Sequence, residues 1–268
     1  MTELAAISPE HHAKKVWKHV TDYAFAAAEM VIPLVGVELS KVVPAMPIGF
    51  IEQEGGYQLI AITSLQPGTN LYVAPDGKWL VPYIPSVLRA YPFQLVQQEN
   101  AENFTLCINE ASGLVVENTE DGNAFFDDQD EPTQAVKDIL NFLTEVEASR
   151  ALTQGAVNAL ADAGLIIPWA LNLKQGEEVV PVEGLFHVDE AALNKLDDED
   201  FLTVRKAGGM AVAYAQLLSM NQFAVLERLG EIQGQILAQQ EANSDAANLI
   251  GFSLAEDEGS LSFEWGGG

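Results

Sequence analysis

The sequence predicts an α+β protein: a mainly antiparallel N-terminal sheet followed by helices with a small second sheet. Three observations carry that expectation. Short apolar or alternating runs fill the first half and are separated by glycine, proline and asparagine turns. After Pro132 the apolar period lengthens to helical spacing. A second pair of strand-like runs then interrupts the helices at residues 166–173 and 179–186.

In chain order, residues 48–51 and 57–65 flank Gly55-Gly56, and residues 71–73 and 79–81 flank Pro75-Asp76-Gly77. Glycine supplies the positive φ that such tight turns need. Residues 93–96 and 104–108 flank a polar stretch, and residues 114–116 and 124–126 flank Glu120-Asp121-Gly122-Asn123, which predicts one more hairpin. Beyond Glu131-Pro132, a proline start, Val136, Ile139, Leu140, Leu143 and Val146 lie on one helical face. A second helix is expected over 156–163, ending at Gly164. Asp189 should cap a helix over 190–196, and Asp197 or Asp198 one through Val204 that stops at Gly208-Gly209. A longer helix follows from Met210. In it Val225, Leu229, Ile232 and Ile236 form an apolar seam. Residues 248–265 offer a last hairpin whose Leu261, Phe263 and Trp265 would cover that stripe, with self-association through the stripe as the alternative.

Composition narrows the function classes. The chain has 268 residues, 48% of them hydrophobic, enough for one large or two small domains. The most apolar stretch, residues 23–37, is broken by Glu29, Pro33 and Gly36, so no membrane span is expected. No basic segment leads into an apolar one at the N-terminus, which predicts no secretory signal and a cytoplasmic location. The single cysteine, Cys107, excludes an internal disulfide and a multi-cysteine zinc site; its alternating apolar surroundings predict a buried thiol. With 39 acidic and 13 basic residues the net charge is −26. That disfavours nucleic acid and anionic lipid, and serves solvation first; it also suits a basic partner or divalent cations.

Residues 70–93 are the most informative stretch: the Asp76-Gly77 turn, Trp79, prolines at 82, 85 and 92, Tyr83, Arg89 and Tyr91-Pro92-Phe93. This run resembles the SapC family of bacterial proteins. The similarity extends to Asp22-Tyr23-Ala24-Phe25-Ala26, Ile32-Pro33-Leu34-Val35, Pro47-Ile48-Gly49-Phe50, Thr105-Leu106-Cys107-Ile108-Asn109-Glu110, the Gly184-to-Glu190 turn and the helix around Ala213–Met220. It covers roughly residues 17–229. The expected division is therefore a SapC-like α+β domain over 1–229 (β-rich over 30–127, helical with a small sheet over 132–229) and an acidic extension over 230–268. The family's name implies a link to surface-layer or secretion processes. Its relatives, often encoded beside flavin-dependent halogenase-like proteins, imply the alternative of an accessory or enzyme in substrate or peptide modification. The resemblance carries over no catalytic residues.

Among candidate residues, Arg89 stands out, one of four arginines, amid Trp79, Tyr83 and Tyr91. An arginine among aromatics can hold a carboxylate or a stacked ring. The competing reading is that it pairs with a local carboxylate and braces the proline-rich turn. Trp79, Tyr83, Arg89 and Tyr91 are taken as candidate ligand-binding residues. His11, His12 and His19 are read as a solvated segment rather than a metal site. His187 is read as a histidine at the start of a helix rather than a general base. The acidic runs from Asp127 and Asp197 lack the glycine and terminal glutamate of calcium loops and are expected to cap helices. No nucleophile elbow, Walker loop or dinucleotide fingerprint occurs. No cofactor and no metal is expected. The sequence reads as a non-catalytic acidic interaction protein, a monomer whose partner is another protein.

Overall fold

The computed structural model describes residues 3–97, 104–117, 121–175 and 178–256. It divides into two units, Met1–Leu226 and Glu227–Gly268. Helices and several small antiparallel sheets make the chain α+β, with a helix-rich C-terminal half.

The core of the first unit is built on the hairpin Ile48–Gln53 and Gly56–Ile62, in register from Ile48 opposite Ala61 to Gln53 opposite Gly56. Glu54 and Gly55, both at positive φ, make its turn. Five strands share this sheet, in the order Ile166–Pro168, Leu185–Val188, Ile48–Gln53, Gly56–Ile62, Val31–Pro33. The helix Gln134–Asp162 packs on Gly56–Ile62, and the helix Gly209–Ser219 on Ile48–Gln53 and Leu185–Val188. Ile48, Phe50, Leu59, Ile60 and Ile62 are buried as a result. Two buried polar side chains complete the backbone pairing. Gln216 Oε1 accepts from Val188 N at 3.0 Å, and Ser219 Oγ accepts from Ile48 N at 2.8 Å.

A second core gathers Trp17, Phe93, Leu95, Ile108, Phe125, Val136 and Leu143. It lies under two further sheets. One orders Leu4–Ala6, Phe104–Asn109 and Phe93–Gln97. In the other, Lys15–Trp17 sits between Val115–Glu117 and Asn123–Ala124. This overturns the hairpin expected across residues 114–126. The two segments never pair with each other, because the earlier strand occupies the space between them and buries Val16 and Trp17 there.

Three more expectations are corrected. The helices expected over 136–146 and 156–163 are one, Gln134–Asp162, since between them the buried face is carried by Ser149, Thr153 and Ala156, small residues that leave no apolar signal. Residues 71–81 form only an isolated bridge, Val73 opposite Trp79, not two strands. The helix expected from Met210 divides at the 3-10 turn Met220–Gln222; its second part, Phe223–Glu256, carries Val225, Leu229, Ile232 and Ile236 and runs through residues expected to start a hairpin. Leu261, Phe263 and Trp265 lie outside the described residues.

Local signals did mark other ends correctly. Gly164 and Gly208 adopt positive φ where helices stop. Asp189 accepts from Ala192 N, and Asp197 from Glu199 N and Asp200 N, as caps. Among the described residues no helix is long and apolar enough to cross a membrane.

Candidate functional site

Pro85 precedes the short helix Ser86–Ala90, which buries Ser86, Leu88 and Ala90 and exposes Val87 and Arg89. A cis bond joins Tyr91 to Pro92 before the strand Phe93–Gln97. The helix is tied down by an acid absent from the sequence-level candidates. Glu38 is 3% exposed and accepts four hydrogen bonds. Oε1 takes Tyr83 OH at 2.7 Å and Ser86 N at 2.6 Å; Oε2 takes Ser86 Oγ at 2.9 Å and Val35 N at 3.1 Å. Burial with this many donors satisfies both carboxylate oxygens. The 3-10 turn Gly36–Glu38 is in turn pinned to the long helix, where Thr153 Oγ1 accepts from Gly36 N at 2.7 Å.

The structure brings three of the four candidates together. Trp79 Nε1 donates to the Tyr83 carbonyl at 2.8 Å, and Arg89 Nη2 reaches Tyr83 OH at 3.4 Å. The guanidinium carbon lies 5.7 Å from the Tyr83 ring centre and 4.9 Å from that of Phe142. Tyr91 stands apart from these contacts. It stacks on Phe25 at 3.8 Å with the rings 9° from parallel. Phe25 touches Tyr23, Tyr23 touches Trp79, and Trp79 stacks on Tyr72, so one chain of rings joins Tyr91 to Trp79.

The sequence offered Arg89 two roles. It does brace the turn, donating from Nε to the Ile84 carbonyl at 3.0 Å. The carboxylate pairing is not found: among the described residues no Asp or Glu lies within 4.0 Å of it. Its charge is felt by its neighbours. Burial raises the Tyr23 and Tyr83 hydroxyls above the ordinary tyrosine value, Glu38 raises Tyr83 further, and Arg89 opposes the rise in both. Two cavities flank the Tyr91-Pro92-Phe93 corner. One, about 490 Å³, runs between Leu4, Val87, Leu143 and Arg150; the other, about 270 Å³, opens among Lys18, His19, Tyr23 and Arg89.

Elsewhere, His11 and His19 are exposed as expected of a solvated segment, but His12 is not. It is fully buried at the end of helix Pro9–His12, its ring 5.0 Å from Phe125. Nε2 lies 3.4 Å from Glu110 Oε1 without hydrogen-bond alignment, while Lys15 Nζ holds that oxygen at 2.7 Å. His187 lies in strand Leu185–Val188 against Trp169 rather than at a helix start. Asp127 closes its own loop by accepting from Gln129 N and Glu131 N, and the helix after it is capped by Thr133. Cys107 is buried, which pushes its thiol up. Among the described residues no group of three His, Cys, Asp or Glu side chains is placed to hold a metal ion.

Glu38, Phe25, Tyr23 and Phe142 belong to the site yet escaped the sequence. Tyr23 and Phe25 sit in the aromatic–alanine run noted for its resemblance, which was the available signal. Glu38 gave only the weak mark of one acid inside an apolar stretch. Compared with known proteins, residues 7–226 match a family model described as SapC. No curated protein and no solved structure matches the chain.

Proposed function

The chain belongs to the SapC family, and on that premise we propose that it is a non-catalytic acidic interaction protein that holds another protein through the Trp79, Tyr83, Arg89 and Tyr91 surface. One observation carries this reading. Arg89 is exposed, braced and without an ion partner among the described residues, against the half-buried ring of Tyr83, whose carbonyl holds Trp79, and it shares the lining of one cavity with Tyr91. Arginine, tyrosine and tryptophan are the residue types that dominate interface energetics, and a fixed guanidinium loses little freedom on binding. The proposed setting is the cytoplasm, with a link to surface-layer or secretion processes, a monomeric chain, and residues 230–268 as an acidic extension to the family-like domain.

The test is a pulldown from the native host with the full chain, comparing wild type with Arg89→Ala. One protein should be enriched by the wild type and depleted at least about fivefold by the variant, as loss of a hot-spot residue requires. A wild-type pulldown that enriches nothing counts against the reading.

A second reading has its own support: the two cavities at the Tyr91-Pro92-Phe93 corner give room for a small group. It makes the protein an accessory or enzyme in substrate or peptide modification beside a flavin-dependent halogenase-like protein. If no metabolite raises the melting temperature and Arg89→Ala leaves function in the host unchanged, this second reading falls.

A further inference from the structure

We propose that the cavity of about 270 Å³ among Lys18, His19, Tyr23 and Arg89 is a binding site for one organic carboxylate carried on a small apolar group. This deepens the interaction reading and rests on it for placing the ligand at Arg89. The chain has three acids for every base, 39 against 13, yet this cavity is lined by Lys18, His19 and Arg89 and by no Asp or Glu. Among the described residues no carboxylate lies within 4.0 Å of Lys18 or Arg89. Positive charge gathered in a concave, low-dielectric wall focuses potential on whatever enters.

The floor is apolar. Trp17, Leu88, Pro92 and Phe93 are buried beneath it, and Tyr23 and Tyr91 form its half-buried sides. The guanidinium is held in one plane by Ile84 O and by the Phe142 ring, which leaves Nη1 and part of Nη2 as a planar pair of donors. That fork matches a carboxylate bidentately, and the Lys18 ammonium adds a point charge. The volume lies just below the roughly 300–1,000 Å³ of pockets that enclose drug-sized ligands, so one ring or one side chain fits. The carboxylate can belong to a free organic acid or to the C-terminus of a partner chain.

Isothermal titration of the full chain separates these. The probes are benzoate, its neutral counterpart benzamide, N-acetyl-alanyl-phenylalanine with a free carboxylate, and the same peptide as the amide. At least one acid should saturate at millimolar concentration or better, with its neutral counterpart about tenfold weaker, the ratio expected for a charge-assisted contact. Tighter binding of the peptide acid assigns the carboxylate to a partner chain; tighter binding of benzoate assigns it to a free acid. Lys18→Gln and Arg89→Gln should each weaken the acid about tenfold, and Lys41→Gln, an exposed lysine outside the cavity, should not. The Lys18 side chain makes no hydrogen bond or ion pair among the described residues, so Lys18→Gln stays informative if Arg89→Gln unfolds the turn. Equal affinity for acid and amide, no saturation by either acid, or acid binding indifferent to Lys18→Gln overturns the proposal. Carboxylate binding without any partner in the pulldown sinks the interaction reading and leaves the site standing. An Arg89-dependent partner without carboxylate binding does the reverse.

Discussion

Glu38 is the residue on which the Arg89 corner hangs. Glu38→Gln keeps the shape but turns one acceptor oxygen into an NH2 group, so donors now face a donor at Ser86 or Val35. The expected loss is about 2–3 kcal/mol, seen as a melting temperature lower by roughly 5–10 °C. An unchanged melting curve would show that the four contacts stabilise nothing. His12 and His187 give a second expectation at this scale. Burial lowers both below the ordinary value of 6.5, against Glu110 at His12 and Asp189 at His187, with Lys15 and His11 adding to the fall at His12. A histidine depressed in the folded state favours unfolding once protonated, so its stability contribution is whole above about pH 6.5 and declines as pH falls below it. Melting temperature should therefore drop between about pH 7 and pH 5, and His12→Gln with His187→Gln should flatten that slope. A slope unchanged by both substitutions would remove these histidines as its cause. Arg89 was legible in the sequence because an arginine among aromatics and prolines is rare in so acidic a chain. Glu38 was not, because its partner Ser86 lies far along the chain and no local spacing joins them.

The long helix Gln134–Asp162 does more than cover a sheet, since Thr153 and Ser149 hold the turn that carries Glu38. Thr153→Val preserves volume while removing the acceptor for Gly36 N, and should cost about 1–2 kcal/mol in chemical denaturation. Were the midpoint unmoved, the helix would not be what positions that turn. Gly77 carries the other side of the site. It has φ +82°, its carbonyl accepts from Tyr23 N at 2.7 Å, and a Cβ there would come within 2.7 Å of Asp22 Cβ. Gly77→Ala is strained twice over and should lower stability by about 1–3 kcal/mol. Elements bounded by their own chemistry were readable: the hairpins at Gly55 and between Phe93 and Asn109, and the caps at Asp189 and Asp197. The helix was split in reading because its middle buries hydroxyls and a methyl, which an apolar period does not register.

For the whole molecule, a net charge of −26 means the folded state repels itself. Raising sodium chloride from about 0.01 M to 0.5 M shortens the screening length well below molecular size and should raise the melting temperature. Calcium chloride at matched ionic strength should do no more, because among the described residues no three carboxylate or histidine side chains gather to hold a metal ion. Micromolar calcium binding lost on changing Asp127, Asp128 and Asp130 to Asn would contradict this. The α+β class was legible from the change of period at Pro132. The joining of sheets was not, because Leu4–Ala6 and Lys15–Trp17 find their partners about a hundred positions later.

The strand Lys15–Trp17, threaded between Val115–Glu117 and Asn123–Ala124, also sets an order of events on the ribosome. It is synthesised long before either neighbour, so Val16 and Trp17 must travel uncovered until both have emerged. Through that interval the nascent chain presents an unsheltered tryptophan, which makes this stretch the natural foothold for a chaperone. Slowing translation only after Asn123–Ala124 has left the ribosome should cost this protein less yield than slowing it before residue 115.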